Sequence, residues 1–200
     1  SQDIRPTTIR ARCSLMDSLS PWHGKRVADI CAGSGAVGLE AASRGASDLL
    51  FVEKNLKHCQ IIENNIAKIQ KSGAKANFKV VRSDILNVAT YSQSWPTPDI
   101  VFIDPPYAES VELFTTLMKN HEFLEWSCSA TLIWELPDEC GSAGHILDIT
   151  VPERETSIRR FGSTLFILMK KLWRKFVVTV GNGKFATQKC SMIGLNGGLK

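Results

Sequence analysis

The stretch RVADICAGSGAVGLEAASRGASDLLFVE, residues 26–53, decides the fold of this 200-residue chain. Its apolar run over 26–32 predicts a buried strand, and a glycine-rich segment then leads into a helix that Gly45 closes. A second apolar run over 48–53 predicts a second strand. A strand, a helix and a further strand in succession form a right-handed crossover between parallel strands, so the stretch indicates an open α/β sheet.

The same alternation continues along the chain on both sides of this stretch. Two extended runs around Gly162, with no helix between them, predict an antiparallel pair at the sheet edge or inserted into the sheet. The chain is therefore expected to form a mainly parallel sheet with helices on both faces. Helices are expected from Thr7 or Thr8 to Pro21, over 55–72, near 85–91 and over 109–120, and strands over 77–82, 99–104 and 130–136.

Composition fits one globular domain and gives no sign of a membrane segment. Apolar residues make up 44% of the chain and charged residues 22%, and neither a membrane-length apolar run nor a secretion leader is evident. The six cysteines include no C-x-x-C pair, which argues against a zinc site or a disulfide framework. We therefore expect a cytoplasmic protein with reduced thiols and no metal.

Positive charge is concentrated at the carboxyl end of the chain. The net charge is +4, but residues 170–200 contain seven Lys or Arg and no acid, which leaves a slightly acidic body. Residues 172–200 fit either a small hairpin with a glycine-rich turn or a frayed tail, and they remain unassigned. Two further clusters suit either phosphate contacts or a solvated surface: Arg5, Arg10 and Arg12, and Arg154, Arg159 and Arg160.

The segment Gly33-Ser34-Gly35-Ala36-Val37-Gly38 is a literal G-x-G-x-x-G between the strand over 26–32 and the helix that follows it. Glycine lets the backbone turn tightly and approach a ligand closely, and a helix N-terminus presents free N–H groups. Glu53 stands twenty residues after Gly33, at the end of the next strand, where a carboxylate can accept hydrogen bonds from two ribose hydroxyls. The pattern predicts a nucleoside cofactor.

Two further acids bear on which nucleoside cofactor is bound. NAD and S-adenosylmethionine both carry adenosine, but S-adenosylmethionine has an ammonium group and NAD has a pyrophosphate. Asp29, a buried carboxylate inside the strand over 26–32, either orders the loop or meets a cation such as that ammonium. Asp84, after the strand over 77–82, is placed to bind the adenine amino group or to cap the next short helix, and one role does not exclude the other.

The sequence Asp104-Pro105-Pro106-Tyr107, which ends an apolar strand, indicates the chemistry. For these four residues alone a turn is the common interpretation. In an open parallel sheet, however, this strand is expected beside the strand over 26–32, where strand order reverses and ligands bind. There the Asp104 carboxylate and the Pro105 carbonyl can accept the N–H groups of an exocyclic amine, and Tyr107 can stack on the base. The pattern favours methylation of an amine.

Together these motifs resemble the bacterial 16S rRNA (guanine-N2) methyltransferases of the RsmD type. The resemblance implies a Rossmann-like class I methyltransferase fold, with a seven-stranded, mostly parallel sheet and an antiparallel strand near its C-terminal edge. It implies S-adenosylmethionine as donor, S-adenosylhomocysteine as product, and a guanine of 16S rRNA or of an assembling small ribosomal subunit as acceptor. It covers roughly residues 4–170 and is carried by RPTTIRARCSLMDSL (5–19), VADICAGSGAVGLEAASRGA (27–46), FVEKN (51–55), Asp84 and DIVFIDPPY (99–107).

The resemblance also assigns roles to residues by position. One methyltransferase domain is expected over 1–171, with 1–22 as a helical segment near the substrate entrance, and the protein is expected to be a monomer. The implied catalytic residues are Asp104, Pro105, Pro106 and Tyr107. The implied cofactor-binding residues are Asp29, Ala32, Gly33, Ser34, Gly35, Gly38, Glu53, Lys54, Asp84 and Ile85, and the implied RNA-binding residues are Arg5, Thr8, Arg10 and Arg12.

The chain departs from this family at both ends. The basic β-hairpin that usually precedes R-P-T is not part of the sequence, so a lower affinity for RNA is expected. Ile9 stands where the family commonly has a polar or acidic residue, and Cys13 stands where it commonly has an acid. The tail beyond residue 171 has no counterpart in the family.

Other functions fit parts of the pattern. A DNA adenine-N6 or protein glutamine methyltransferase could use an equivalent amine site. A NAD-dependent oxidoreductase fits the glycine spacing and Glu53, although no His or Tyr-x-x-x-Lys acid–base partner is evident, and a noncatalytic RNA-binding module fits the basic tail. A cysteine nucleophile is not indicated, because no Pro-Cys pair ends a comparable strand and Cys31 is expected to pack under the glycine loop.

Overall fold

Seven strands form one sheet in the computed structural model, which describes residues 6–137, 151, 153–161, 164–172, 175–180 and 184–189. The strands are β1 Arg26–Ile30, β2 Asp48–Glu53, β3 Asn77–Arg82, β4 Ile100–Ile103, β5 Thr131–Pro137, β6 Arg154–Phe161 and β7 Thr164–Lys171. Their order across the sheet is β3-β2-β1-β4-β5-β7-β6. β1 to β5 are parallel, whereas β7 is antiparallel to both of its neighbours. The predicted α/β sheet is confirmed, with β7 inserted and β6 at the edge.

Helices cover both faces of this sheet. Buried side chains of α1, α2 and α3 pack against one face, and those of α4, α5 and α6 pack against the other. None of the helices in the described part of the chain is long and apolar enough to cross a membrane. The helices are α1 Pro6–Ser18, α2 Ala36–Ser43, α3 Leu56–Lys71, α4 Val88–Ser92, α5 Ser110–Leu117 and α6 His121–Trp126, and a 3-10 turn spans Tyr107–Glu109.

The central strands are buried because helices cover both of their faces. In β2, Leu49 and Phe51 pack with α1 to α3, while Leu50 and Val52 pack with α4 to α6. A strand buried on both faces needs a continuous apolar run rather than an alternating one, which explains the sequences of β2 and β4. β6, the edge strand, carries mostly exposed side chains.

The predicted bounds are matched by β2, a buried central strand, and by β3, a partly exposed edge strand. β2 and β3 occupy the predicted residues 48–53 and 77–82. The helix predicted over 109–120 is present as α5, which ends at Leu117, but α6, which begins at His121, was not predicted. The side chain of Asn120 accepts a hydrogen bond from the Phe123 N–H at 2.9 Å, so a new helix is capped where the pattern predicted an end.

Strand order reverses between β1 and β4. β1 pairs with β2 on one side and with β4 on the other, as the sequence predicted for the strand that ends at Asp104. The Asp104 N–H donates to the Ile30 carbonyl at 3.3 Å, which extends the β1–β4 pairing to the last residue of β1. The connection after β1 leads to α2 on one face of the sheet, and the connection after β4 leads to α5 on the other face. A crevice therefore opens between the ends of these two strands.

α1 is fixed on the same face of the sheet as α2 and α3. Its Leu15 and Met16 are buried, and the indole N–H of Trp22 donates to the Met16 carbonyl at 2.9 Å. Arg44, directly after α2, forms an ion pair with Asp17 of α1. These contacts hold the last turns of α1 against the sheet, against α2 and against the segment that leads into β1.

The C-terminal residues form a second, separate sheet. β8 Lys175–Val180 and β9 Lys184–Lys189 pair as two antiparallel strands. This is the part of the chain for which the sequence left a hairpin and a frayed tail as alternatives. The glycine-rich residues 181–183 lie outside the described residues.

Candidate active site

A cavity of about 790 Å³ opens where the first four strands of the sheet end. It joins the predicted cofactor site and the predicted amine site in one space. Nine residues assigned from the sequence line it: Gly33, Glu53, Lys54, Asp84, Ile85, Asp104, Pro105, Pro106 and Tyr107. Seven residues that the sequence analysis did not assign also line it: Cys31, Val52, Asn55, His58, Ser83, Glu109 and Leu113.

Glu53 connects the end of β2 to the glycine loop. One carboxylate oxygen accepts a hydrogen bond from the Gly33 N–H at 2.8 Å, and the other accepts one from the Asn55 N–H at 2.8 Å. The Nδ1 atom of His58 lies 3.6 Å from the same oxygen that Asn55 contacts. The carboxylate is therefore held in one orientation at the cavity wall, where it can present oxygen atoms to neighbouring hydroxyls.

The three glycines of the loop have different tasks. Gly33 has a left-handed φ of +55°, and a Cβ built on it would meet no atom within 4 Å, so the backbone is open toward the cavity. A Cβ on Gly38 would lie 2.4 Å from the Phe51 ring, and Gly35, with φ +76°, faces the same ring at 3.1 Å. Gly35 and Gly38 thus allow α2 to lie close to β2, and of the three only Gly33 lines the cavity.

Ala32 and Ser34 support the loop without lining the cavity. The Ala32 N–H donates to the Val52 carbonyl at 3.2 Å, and the Ser34 carbonyl accepts from the Asn65 side chain at 3.2 Å. Their contacts are with neighbouring backbone and with α3. The cofactor-binding role assigned to them from the sequence stays a prediction.

Asp29 makes the loop-ordering contact that was one of its two predicted roles. Its Oδ2 atom accepts a hydrogen bond from the Gly38 N–H at 2.9 Å, in the first turn of α2. The side chain is buried, and burial raises the pKa of Asp29 to about 8, although the Gly38 hydrogen bond opposes that rise. Asp29 does not line the cavity.

Asp84 lines the cavity but does not cap the next helix. Its Oδ1 atom accepts a hydrogen bond from the Leu86 N–H at 2.9 Å, which stabilises the turn after β3. α4 begins only at Val88, and Asn87 occupies its N-cap position, so the predicted helix cap is wrong. Ile85, beside Asp84, is buried and contributes an apolar side chain to the cavity.

The Asp104-Pro105-Pro106-Tyr107 segment forms the wall opposite Glu53. Pro105 is buried, whereas 52% of Tyr107 is exposed at the start of the 3-10 turn. The Glu109 N–H donates to the Pro106 carbonyl at 3.0 Å and closes this turn. Asp104 lines the same cavity as Gly33 and Glu53.

Cys31, Lys54 and Glu109 complete the description of the cavity wall. Cys31 lines the cavity with a left-handed φ of 61° and, partly buried, also packs against the apolar core. Burial raises the pKa of its thiol to about 12, so the thiol stays protonated at neutral pH. Lys54 and Glu109 form an exposed ion pair of 3.7 Å that links the β2 wall to the turn after β4.

Glu135, a buried acid that the sequence analysis did not assign, lies at the end of β5. It is 1% exposed, and among the described residues its Oε2 atom has no hydrogen-bond partner. Burial raises its pKa to about 8, with a further rise from the charge of Asp104. The signal that could have revealed it is an acid inside the apolar run ATLIWEL.

Among the residues assigned to RNA binding, Arg10 and Arg12 are the two whose side chains the structure describes, and they differ in exposure. Arg5 lies outside the described residues, as does the side chain of Thr8. Arg10 is exposed on α1, but Arg12, two residues later, is half-buried and acts on the carboxyl groups of Asp29, Asp104 and Glu135. In the third basic cluster, Arg154 donates to the carbonyls of Ala130 and Ser127 at 2.8 and 2.7 Å and is therefore structural.

We expect the free energy of unfolding of the cofactor-free protein to fall as the pH rises from about 5 to about 8. Asp29 and Glu135 keep their protons in the folded state up to a pKa of about 8, whereas unfolded carboxyl groups lose them near about 4. The folded state therefore binds more protons in this range, and stability is lost as they dissociate. Urea unfolding at several pH values measures the slope.

Glu135→Gln is the variant that checks this dependence, because it removes one of the two titrating groups and keeps the side-chain shape. The slope of unfolding free energy against pH should become shallower in Glu135→Gln. The exposed residue Glu112 offers a matched control, Glu112→Gln, whose slope should equal that of the wild type. An equal slope in Glu135→Gln and wild type would contradict the assignment.

The fold and the cavity define the class of this protein. A sheet of this order, with an antiparallel strand inserted beside the last parallel one and a ligand crevice at the ends of β1 and β4, is the Rossmann-like fold of class I methyltransferases. Within that class, residues 1–157 match the model of the family described as Conserved hypothetical protein 95. The chain belongs to this family, that of the RsmD-type methyltransferases.

Known proteins of similar sequence and structure agree with this assignment. Ribosomal RNA small subunit methyltransferase D of Escherichia coli (strain K12) is 37% identical over 108 residues, which are 54% of this chain and 52% of that protein. The Haemophilus influenzae protein of the same name is 32% identical over 108 residues, covering 54% and 55%. The solved structure of yhhF from Escherichia coli is 28% identical with a TM-score of 0.64, covering 86% of this chain and 89% of that one. The match to the two curated relatives spans about half of their length.

Proposed function

We propose that this protein transfers a methyl group from S-adenosylmethionine to the exocyclic N2 amine of a guanine in 16S rRNA. The observation that carries the proposal is the shared cavity, in which Asp104 and Pro105 line one side and Gly33 and Glu53 line another. The hydrogen-bond acceptors for the amine and the loop that would hold the nucleoside thereby line the same space. The fold supplies the same arrangement at the point where strand order reverses.

The residues present fit S-adenosylmethionine. A cavity of about 790 Å³ is within the usual size of small-molecule sites, and Gly33 leaves its backbone side open. Glu53 would hold the ribose hydroxyls, because its carboxylate is already oriented by two backbone N–H groups. Asp84 and Ile85 would contact the adenine. When bound, this cofactor supplies an electrophilic methyl group on sulfur.

The Asp104 corner supplies the chemistry that an exocyclic amine needs. The nitrogen lone pair of such an amine is delocalised into the ring, which makes it a poor nucleophile. Hydrogen bonds from its two N–H groups to the Asp104 carboxylate and the Pro105 carbonyl would localise the lone pair and aim it at the methyl carbon. Pro105 and Pro106 fix the backbone so that both acceptors are preset, and the half-exposed Tyr107 ring offers a face for the base.

The acceptor is inferred from the family and from the cavity rim. The relatives named above are called ribosomal RNA methyltransferases, and the sequence resemblance implies guanine N2 as the target. Arg10, exposed on α1, is the described member of the N-terminal cluster that is free to meet phosphate. We further place the activity in residues 1–171, acting as a cytoplasmic monomer, and leave β8 and β9 without a role.

The decisive experiment offers labelled S-adenosylmethionine and the protein to rRNA from cells that lack it. Naked 16S rRNA and small-subunit particles are supplied in parallel, with DNA and a glutamine-containing protein as competing substrates. The expected result is label on one guanine of 16S rRNA, mapped by nuclease digestion and chromatography. Label on adenine or on protein would replace the proposed acceptor, and no transfer to any substrate would overturn the function.

A further inference from the structure

Arg12 belongs to the inward side of α1. Leu15 and Met16, three and four residues later, are 0% and 1% exposed, and residues at these spacings lie on one helix face. Arg12 itself is half-buried, whereas Arg10 on the same helix is exposed. The guanidinium of Arg12 is thus directed toward the sheet, and that of Arg10 is accessible from solvent.

Three carboxyl groups face α1 from the ends of adjacent strands. Side chains two residues apart on a strand share a face, so Asp104 shares a face with Phe102 and Glu135 shares one with Ile133. Phe102 and Ile133 both pack in the cluster that contains Leu15 of α1. By the same alternation, Asp29 lies on the face of Val27, which belongs to that cluster. The α1 side of the sheet therefore carries these three acids.

The strand register brings these acids close together. Ile103 of β4 is level with Trp134 of β5, so Asp104 and Glu135, one residue later on each strand, are level with each other. Asp29 of β1 is level with Phe102 of β4, two residues before Asp104. Neighbouring strands lie about 4.8 Å apart. Asp104 and Glu135 are therefore close, and two ionised carboxylates at this spacing repel each other.

Arg12 is the cation that opposes this repulsion. Its charge lowers the pKa of Asp29, of Asp104 and of Glu135, in each case against the effect of burial. The pKa of Asp104 is about 6, whereas those of Asp29 and Glu135 are about 8. Cys31, which also feels the charge of Asp104, stays protonated. Asp104 is only partly buried and lines the cavity, whereas Asp29 and Glu135 are 2% and 1% exposed, so Asp104 is the member of the cluster best able to carry the negative charge.

We propose that Arg12 is a positioning residue that holds the Asp104 carboxylate in its charged form, instead of a residue that contacts RNA phosphate. A charged carboxylate accepts hydrogen bonds about twice as strongly as a neutral acid, and the amine needs such an acceptor. This inference rests on the proposed function, because it concerns the same amine site. The proposal gives Arg12 a different role from Arg10, although the sequence analysis assigned both to RNA binding.

The test compares Arg12→Gln with its matched control Arg10→Gln in single-turnover methyl transfer to 16S rRNA between pH 5.5 and 9. In Arg12→Gln the acidic limb of the rate profile should move to higher pH, with a rate roughly 5- to 10-fold lower at pH 6 that recovers by pH 9. Its KM for RNA and its salt dependence should match the wild type. Arg10→Gln should keep the wild-type pH profile, raise KM and weaken the salt dependence. Arg12→Lys, which keeps the positive charge, should show the pH profile of the wild type.

A second measurement keeps this inference separate from the proposed function. Carboxyl-carbon NMR of the cofactor-free protein follows the titration of Asp104 without any RNA, and the midpoint should rise in Arg12→Gln. An unchanged midpoint, or a raised KM with an unchanged pH profile, overturns the role of Arg12. A raised midpoint in a protein that methylates no rRNA supports the effect of the Arg12 charge on Asp104 and refutes only the substrate. Arg12→Met, which keeps the apolar stem, repeats the titration if Arg12→Gln does not fold.

Discussion

Replacement of Asp104 by alanine is expected to lower the single-turnover rate of methyl transfer by roughly 100- to 1,000-fold. The carboxylate is the charged acceptor at the cavity wall, and without it the amine keeps a delocalised lone pair and no fixed orientation. Binding of S-adenosylmethionine should change little, because Gly33, Glu53 and Asp84 remain in place. Rapid-quench transfer to 16S rRNA measures the rate, and calorimetry measures the cofactor affinity.

The control for this experiment is Glu112→Gln, an acid lost from an exposed position of α5. Its rate should equal that of the wild type. Asp104→Asn should fall between wild type and Asp104→Ala, because the amide keeps one oxygen acceptor without the charge. Undiminished transfer by Asp104→Ala would refute the proposed mechanism.

Replacement of Glu53 by alanine is expected to weaken cofactor binding by roughly 10- to 100-fold, since two charge-assisted hydrogen bonds are lost together. The same change releases the Gly33 and Asn55 N–H groups that Glu53 now accepts from, so the loop loses its anchor to β2. S-adenosylmethionine and S-adenosylhomocysteine should lose affinity equally, because the ribose is common to both. Parallel calorimetric titrations with the two molecules provide the comparison.

Glu63→Gln, an exposed position on α3, serves as the matched control and should bind both molecules as the wild type does. A larger loss for the sulfonium compound than for its neutral product would show that Glu53 acts on the methyl-bearing end. A loss of NAD binding with no effect on S-adenosylmethionine would favour the oxidoreductase interpretation.

The parts of the fold that the sequence predicted best are those with a clear local pattern. β2 and β3 have the predicted bounds, and β4 lies beside β1 as the position of Asp104 required. The glycine loop, the acid at the end of β2 and the Pro-Pro pair are each visible within a few residues of sequence. The chain segments around the cavity could therefore be predicted from the sequence. Asp84 was placed correctly at the cavity for the same reason.

The remaining features depend on contacts between residues far apart in the chain. Gly38 is needed because the Phe51 ring lies against it, and Arg12 points inward because α1 is packed over the sheet. Glu135 gains its unusual environment from the register of β4 and β5. Sequence spacing gives no rule for such pairs, and the pattern likewise did not indicate the short helix α6 that Asn120 caps.

The inserted position of β7 has a consequence for how the chain is made. β5 pairs with β4 on one side, but its other partner is β7, which begins only at Thr164. During synthesis on the ribosome, the backbone N–H and C=O groups on one edge of β5 stay unpaired until β7 has been made, as far as Lys171. Because β6 precedes β7 and pairs with it, the two strands are expected to dock as a preformed unit, and truncation before residue 164 would leave an edge open to aggregation.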